Sequence, residues 1–129
     1  MSKYVPYHAE SIRCAKDLTK EMKTPLEKYK AITAYVSRFI AYDYIRAIQI
    51  PKKGGLPDVG RCWKLRMGIC LDIAAMTTGM LRAVGIPTRL CFGYADNMYH
   101  AWVESTIDNK VYRYDHDGKA KVYKVKKRY

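Results

Sequence analysis

The chain has 129 residues, about half of them hydrophobic, which suits one domain with one core that needs no disulfide staples. Lysine and arginine number 24 against 12 aspartates and glutamates, a net charge of +12 that favours acidic partners without naming one. No apolar stretch approaches the ~18 residues of a membrane span, and Met1-Ser2-Lys3-Tyr4 does not open a signal peptide, so residues 1–129 read as a single free-standing domain.

Residues 8–22 carry Ile12, Ala15 and Leu18 at helical spacing. The next helix starts cleanly: Thr24 is an N-cap, Pro25 sits in the first turn, and Glu27 completes a capping box. Leu26, Tyr29, Ile32, Thr33, Val36, Phe39 and Ile40 then recur at intervals of three and four, which predicts one face packed on the core. The helical pattern fades around Tyr42-Asp43-Tyr44, and Pro51-Lys52-Lys53-Gly54-Gly55-Leu56-Pro57 reads as a surface loop inside the domain. A third helix is predicted over 70–84 with the stripe Ile73, Met76, Thr77, Met80, Leu81 and Val84, stopped by Gly85 and Pro87. The period then changes to two. Residues 88–94, 99–106, 110–115 and 122–125 read as strands, with Asp108-Asn109 as a tight turn between the second and third. Helices first and an antiparallel sheet after them make the class α+β. Six basic residues in 119–129 interleave with Val122, Tyr123 and Val125, as in a strand with one solvated face rather than a nucleic-acid arm.

The cysteines are Cys14, Cys62, Cys70 and Cys91, and no pair has the short spacing of a zinc site. Cys62, Cys70, Cys91 and His100 remain a remote ligand set. Two disulfides could form in an oxidising compartment, and at most one if Cys70 stays a free thiol. In Gly68-Ile69-Cys70-Leu71-Asp72 the cysteine stands at a helix start, where unpaired N–H groups and partial positive charge favour the nucleophilic thiolate. Gly68 would let the chain approach the helix and leave room for a substrate. Taken alone, Cys70 also reads as a small buried hydrophobe. His100, within Tyr99-His100-Ala101-Trp102-Val103-Glu104, lies on a strand flanked by aromatic groups and can shuttle a proton; by itself it reads equally as an ordinary strand histidine. His8 and His116 have weaker local contexts. Asp115 ends the next strand, where a carboxylate can accept the far N–H of the imidazole and fix its tautomer; Asp117 is its nearest competitor, and an isolated strand-end acid is more often a turn residue.

Together, Gly68-Ile69-Cys70-Leu71-Asp72, the run from Met80 through Leu81-Arg82 and Gly85-Ile86-Pro87 to Arg89, then Gly93-Tyr94, His100-Ala101-Trp102-Val103-Glu104 and Tyr114-Asp115, resemble the transglutaminase-like core over roughly residues 23–117. In that family the nucleophilic cysteine stands fifteen residues before the glycine of a Leu-Arg-x-x-Gly-Ile-Pro-x-Arg run, as Cys70 stands before Gly85. Cys62-Trp63 has the look of the Cys-Trp pair of the animal enzymes but lies 23 residues before Gly85, and reads as a structural thiol. Many bacterial members continue the aspartate as Asp-Pro-Thr, whereas this chain continues Asp115-His116-Asp117.

The resemblance implies a papain-like fold and a Cys70–His100–Asp115 triad performing acyl transfer on amide bonds through a thioester, with no cofactor and no metal. The Cys70 N–H is the first oxyanion donor; the Trp63 indole and the Tyr42 and Tyr44 hydroxyls are candidates for the second. The expected partner is a protein or peptide substrate, acidic if the net charge guides it, with nucleic acid disfavoured. A peptidase or amidase is preferred over a lysine-accepting transglutaminase, because the sequence shows none of the companion domains of the animal crosslinking enzymes. A non-catalytic binding module with a basic surface is the reading from another class. By analogy the chain is bacterial, the catalytic fragment of a secreted or cell-surface protein.

Overall fold

The computed structural model describes residues 3–49 and 55–129, so Pro51-Lys52-Lys53-Gly54 of the predicted surface loop lie outside the described residues. The fold is α+β. Its elements in chain order are α1 (Ala9–Thr19), α2 (Pro25–Phe39), β1 (Ala41–Tyr42), α3 (Tyr44–Gln49), α4 (Val59–Leu65), β2 (Met67–Gly68), α5 (Cys70–Ala83), β3 (Thr88–Ala95), β4 (Met98–Ile107), β5 (Lys110–Tyr114) and β6 (Tyr123–Arg128).

Helix α1 is shorter than its sequence pattern. It starts on His8, whose Nδ1 accepts the Ser11 N–H at 3.2 Å. It buries Ile12, Ala15 and Thr19 rather than Leu18, and the Thr19 hydroxyl is satisfied by the Ala15 carbonyl at 2.8 Å. In α2 the capping box forms in both directions: Thr24 Oγ1 accepts the Glu27 N–H, and the Thr24 N–H donates to Glu27 Oε1, each at 3.2 Å. Tyr29, Ile32 and Val36 face the core, but Phe39 does not. It is half-exposed and leans on Tyr35 at 4.8 Å, because the chain turns extended at Ile40 and Ile40 takes the core position instead.

Helix α5 departs most from a one-sided stripe. Leu71 through Leu81 are all buried, because α1, α2 and α4 pack on one side of the helix and the sheet on the other. The small residues Ala74, Ala75 and Gly79 are buried with the large ones. Two threonines in this dry setting are satisfied within the helix: Thr77 Oγ1 donates to the Ile73 carbonyl and Thr78 Oγ1 to the Ala74 carbonyl, both at 2.7 Å. Each fully buried Met or Leu here, such as Met76, Met80 or Leu81, contributes about 1.5–3 kcal/mol relative to exposure.

The main sheet is antiparallel with order β5-β4-β3-β6. Both tight hairpins use an Asp-Asn pair at positive φ, Asp108-Asn109 as the sequence predicts and Asp96-Asn97 as well. The last strand starts one residue later than expected and runs to Arg128; Val122 precedes it, its N–H donating to Asp96 Oδ1 at 2.8 Å. Beside the sheet, β1 and β2 form a two-residue parallel pair, Ala41↔Met67 and Tyr42↔Gly68, which ties the end of α2 to the entry of α5.

Strand β3 meets β6 across a bulge at Phe92/Gly93. A Cβ on Gly93 would stand 2.0 Å from the Lys124 carbonyl oxygen and 3.0 Å from the Trp102 ring. Since the first obstacle is backbone, Gly93→Ala must push β6 off β3. It is expected to lower the unfolding free energy by about 3 kcal/mol, read as a lower urea midpoint at unchanged slope.

Candidate active site

Cys70 is the first residue of α5, and the start of that helix is held by one side chain. Asp72, almost fully buried, turns back so that its Oδ2 accepts the Ile69 N–H at 3.1 Å and meets Arg46 Nε at 3.3 Å, while its Oδ1 accepts the Asp58 N–H at 2.8 Å. One carboxylate thus pins α3, the chain entering α4 and the residue before Cys70. Gly68 is squeezed by the same arrangement: a Cβ there would lie 2.9 Å from both Asp72 Cβ and Cys62 Sγ. The glycine is therefore a close-approach position toward Asp72 and Cys62.

His100 lies on β4 and Asp115 directly follows β5, which ends at Tyr114, one residue earlier than the sequence pattern. The Asp108-Asn109 turn folds β5 back along β4 and so brings the two residues to one end of the sheet. His100 Nε2 lies 3.0 Å from Asp115 Oδ1 and 2.9 Å from Oδ2, so the ring donates this N–H to the carboxylate and leaves Nδ1 for the other side. On that other side stands the Cys70 side chain, in the same pocket. Burial works against the charge on His100, but Asp115 and Cys70 outweigh it and push its pKa up to about 10. Burial likewise opposes the Asp115 charge, yet His100, the Tyr123 hydroxyl and the Asp117 N–H together hold that carboxyl below its ordinary value. Cys70, His100 and Asp115 line one pocket with Tyr42, Trp102 and Tyr114. The structure brings together the three residues that the sequence singled out.

The remaining sequence candidates separate. Tyr42 enters the pocket beside Cys70, placed by the β1–β2 pair. Burial, reinforced by Cys70 and Asp117, pushes its pKa up to about 12, so it stays a neutral hydroxyl. Tyr44 is two-thirds exposed on α3. Trp63 stacks under the Arg66 guanidinium at 4.0 Å and alongside Tyr35, away from the pocket lining. Cys62 and Cys91 are buried, and burial is the main reason that each thiol is pushed up to about 12. All four cysteines are free. Among the described residues no group of three His, Cys, Asp or Glu side chains is arranged to hold a metal, so Cys62, Cys70, Cys91 and His100 do not form the ligand set entertained above. No helix among these residues is long and apolar enough to cross a membrane.

Two features of the site escape a linear reading. Asp72 carries a weak local sign, an acid three residues after the N-cap Ile69, but its bonds to Asp58 and Arg46 do not. The substitute for Asp-Pro-Thr is also tertiary. His116 Nε2 donates to the Ile40 carbonyl at 2.6 Å, the Asp117 N–H reaches Asp115 Oδ1 at 3.3 Å, and the Tyr123 hydroxyl donates to Asp115 Oδ2 at 2.8 Å.

Comparison with known proteins agrees with this fold. The family model described as the transglutaminase-like superfamily matches residues 12–116. No curated protein matches in sequence at a significant level. Among solved structures, a candidate cysteine protease from Cytophaga hutchinsonii superposes with a TM-score of 0.73 at 21% identity, over 92% of this chain and 40% of that one. A candidate protease from Parabacteroides distasonis gives 0.65 at 24% identity over 81% of this chain and 22% of that one, and a TGase gives 0.59 at 17% identity over 92% and 32%. The chain spans less than half the length of each of these proteins, and at such identities the likeness is one of fold.

Proposed function

The chain belongs to the transglutaminase-like superfamily, and from that premise we propose that residues 1–129 form one catalytic domain that transfers acyl groups from amide bonds through a thioester on Cys70. The observation that carries the reading is the convergence of Cys70, at a helix N-terminus, on a His100 ring whose far nitrogen is held by Asp115 at 2.9 Å. Cys70 Sγ attacks the amide carbonyl with its proton held on the His100 ring. The C–N bond then breaks as His100 returns the proton to the leaving amine, which departs and leaves the acyl–sulfur thioester. The Cys70 N–H and the Tyr42 hydroxyl, both at this pocket, are the donors for the developing oxyanion. Water activated by His100 then releases the acid and frees the thiol. The substrate class is protein or peptide, and the +12 charge favours acidic examples of it.

Intact-mass analysis during turnover of a glutamine-containing peptide tests this reading. The expected result is an acyl adduct localised to Cys70 and release of the acid even when a primary amine is present. Amide product in place of acid would make the enzyme a transglutaminase. Absence of any adduct across peptide amides and glutamine peptides would leave the chain a binding module and overturn the proposal.

A further inference from the structure

Resting on the reading of Cys70, His100 and Asp115 as a catalytic set, we propose that Tyr123 is a positioning residue that fixes the Asp115 carboxylate against His100, which makes β6 a working part of the site. Both carboxylate oxygens of Asp115 face the same His100 nitrogen, at 3.0 and 2.9 Å. A pair held by that one nitrogen can still swing about the carboxyl bond. What stops it is a further donor on each oxygen: the Asp117 N–H on Oδ1 at 3.3 Å, and the Tyr123 hydroxyl on Oδ2 at 2.8 Å. The phenol makes the shorter bond and comes from a different strand.

The phenol is itself immobilised. Its ring meets Trp102 edge-on at 4.9 Å, and the Arg113 guanidinium covers it at 3.7 Å. Trp102 is fully buried and donates its indole N–H to Glu104 at 3.3 Å, and Glu104 accepts from Arg128 Nε at 3.0 Å. The support therefore leaves β6 at Tyr123, crosses β4 at Trp102 and Glu104, and returns to β6 at Arg128. Tyr123 lies beyond residues 12–116, so this support is added from outside the matched family core. It also stands where Asp115 is followed by His116-Asp117 in place of Pro-Thr. Burial and the Asp115 charge push the Tyr123 pKa up to about 12, so it remains a donor through the working range.

The titratable and charged groups around Asp115 are His100 on β4, Tyr114 and Arg113 on β5, Tyr123 on β6, Cys70 on α5 across His100, Tyr42 on β1, and His116 and Asp117. Among them, Tyr123 alone combines a side-chain hydroxyl on the carboxylate with a seat outside the hairpin. Removing that hydroxyl withdraws a donor from the charged carboxylate, so Asp115 must protonate at higher pH.

Tyr123→Phe in the full chain keeps the ring on Trp102 and beneath Arg113. A carbon-13 titration of the Asp115 carboxyl should show its midpoint moved up, and the acid limb of kcat/KM should move with it. kcat should fall roughly tenfold at little-changed KM, the size of one hydrogen bond to a charged group. In an Asp115→Asn background the same substitution should have almost no effect on kcat. An Asp115 midpoint equal to wild type, or an equal loss of kcat in both backgrounds, overturns the proposal. The carboxyl titration does not depend on turnover. Full activity in Cys70→Ala would therefore sink the catalytic reading separately, while the titration still decides whether Tyr123 holds Asp115.

Discussion

Cys70→Ala, His100→Ala and the double variant should each lose acyl transfer by nearly the same factor, roughly 10⁴–10⁶ in kcat. Non-additivity is the informative part. If the thiol and the imidazole act as one unit, removing either leaves only binding and the oxyanion donors, and removing the second takes nothing further. Single-turnover release from a peptide amide measures all three, and multiplying losses would mean that the two residues act independently. The Cys70→Ala protein should also fold normally, since α5 is held by Asp72 and by the burial of Leu71 through Leu81.

The same pair sets a pH dependence of stability that the His100→Ala variant exposes. His100 rises from its ordinary 6.5 to about 10 in the folded chain, so the folded state holds the proton more tightly than the unfolded one. Its contribution is fully present below pH 6.5 and is lost as pH rises through about 10. Asp115 has the opposite sign: its folded value lies below 3.8, so its contribution is present above 3.8 and disappears as pH falls through the depressed value. Urea midpoints of wild type and His100→Ala should therefore differ most near neutral and mildly acidic pH. The gap should close toward pH 10 as the imidazolium loses its proton.

What was legible in the sequence were the residues whose positions follow from local rules. Cys70 begins a helix with a marked stop at Gly85, and a two-residue Asp-Asn turn joins β4, which carries His100, to β5, which ends at Tyr114 just before Asp115. That hairpin brings the carboxylate to the end of the sheet where the imidazole stands, and the side chains close the remaining gap. The capping box of α2 was equally local. Less legible were α3 and α4, with six and seven residues, since fewer than two turns cannot show a hydrophobic period. The burial of α5 on every side was hidden for another reason. A stripe of large residues marks one face, whereas Ala74, Ala75 and Gly79 are buried by neighbours that only the tertiary fold supplies.

The second oxyanion candidate shows the same boundary. Tyr42, Tyr44 and Trp63 were indistinguishable as donors in the sequence, and a two-residue parallel bridge is what brings Tyr42 rather than the other two to the pocket. By pairing Tyr42 with Gly68, two residues before Cys70, that bridge carries the phenol to the nucleophile and leaves Tyr44 on the outer surface of α3. Pairings so short carry no pattern of their own. They exist because the segments on either side are anchored, here by Asp43 N–H on the Gly68 carbonyl at 2.9 Å and Ala41 N–H on the Arg66 carbonyl at 2.9 Å.

Asp72 is the anchor on which the rest depends, and Asp72→Ala should be the most damaging substitution that leaves the three proposed catalytic side chains intact. The truncation strands two backbone N–H donors, of Ile69 and Asp58, and deprives Arg46 of its carboxylate at 3.3 Å. Removing one partner of a buried ion pair costs about 3–5 kcal/mol; the Arg46 side chain keeps 21% of its exposure, which places this case at the lower end, about 3 kcal/mol. Activity should fall further than stability explains. The Ile69 N–H fixes where α5 begins, and without Asp72 the first turn can rotate, so Cys70 leaves the line between His100 and Tyr42. A displacement of that size in a reacting group lowers turnover by about 10²-fold. Asp72→Asn separates the two effects: its amide oxygen can still accept one N–H, but its NH₂ opposes another donor. It should therefore retain more stability than alanine while remaining slow. Urea denaturation gives the first quantity and single-turnover kinetics on fully folded protein the second. Wild-type turnover in folded Asp72→Ala would mean that Cys70 is positioned by the packing of α5 alone.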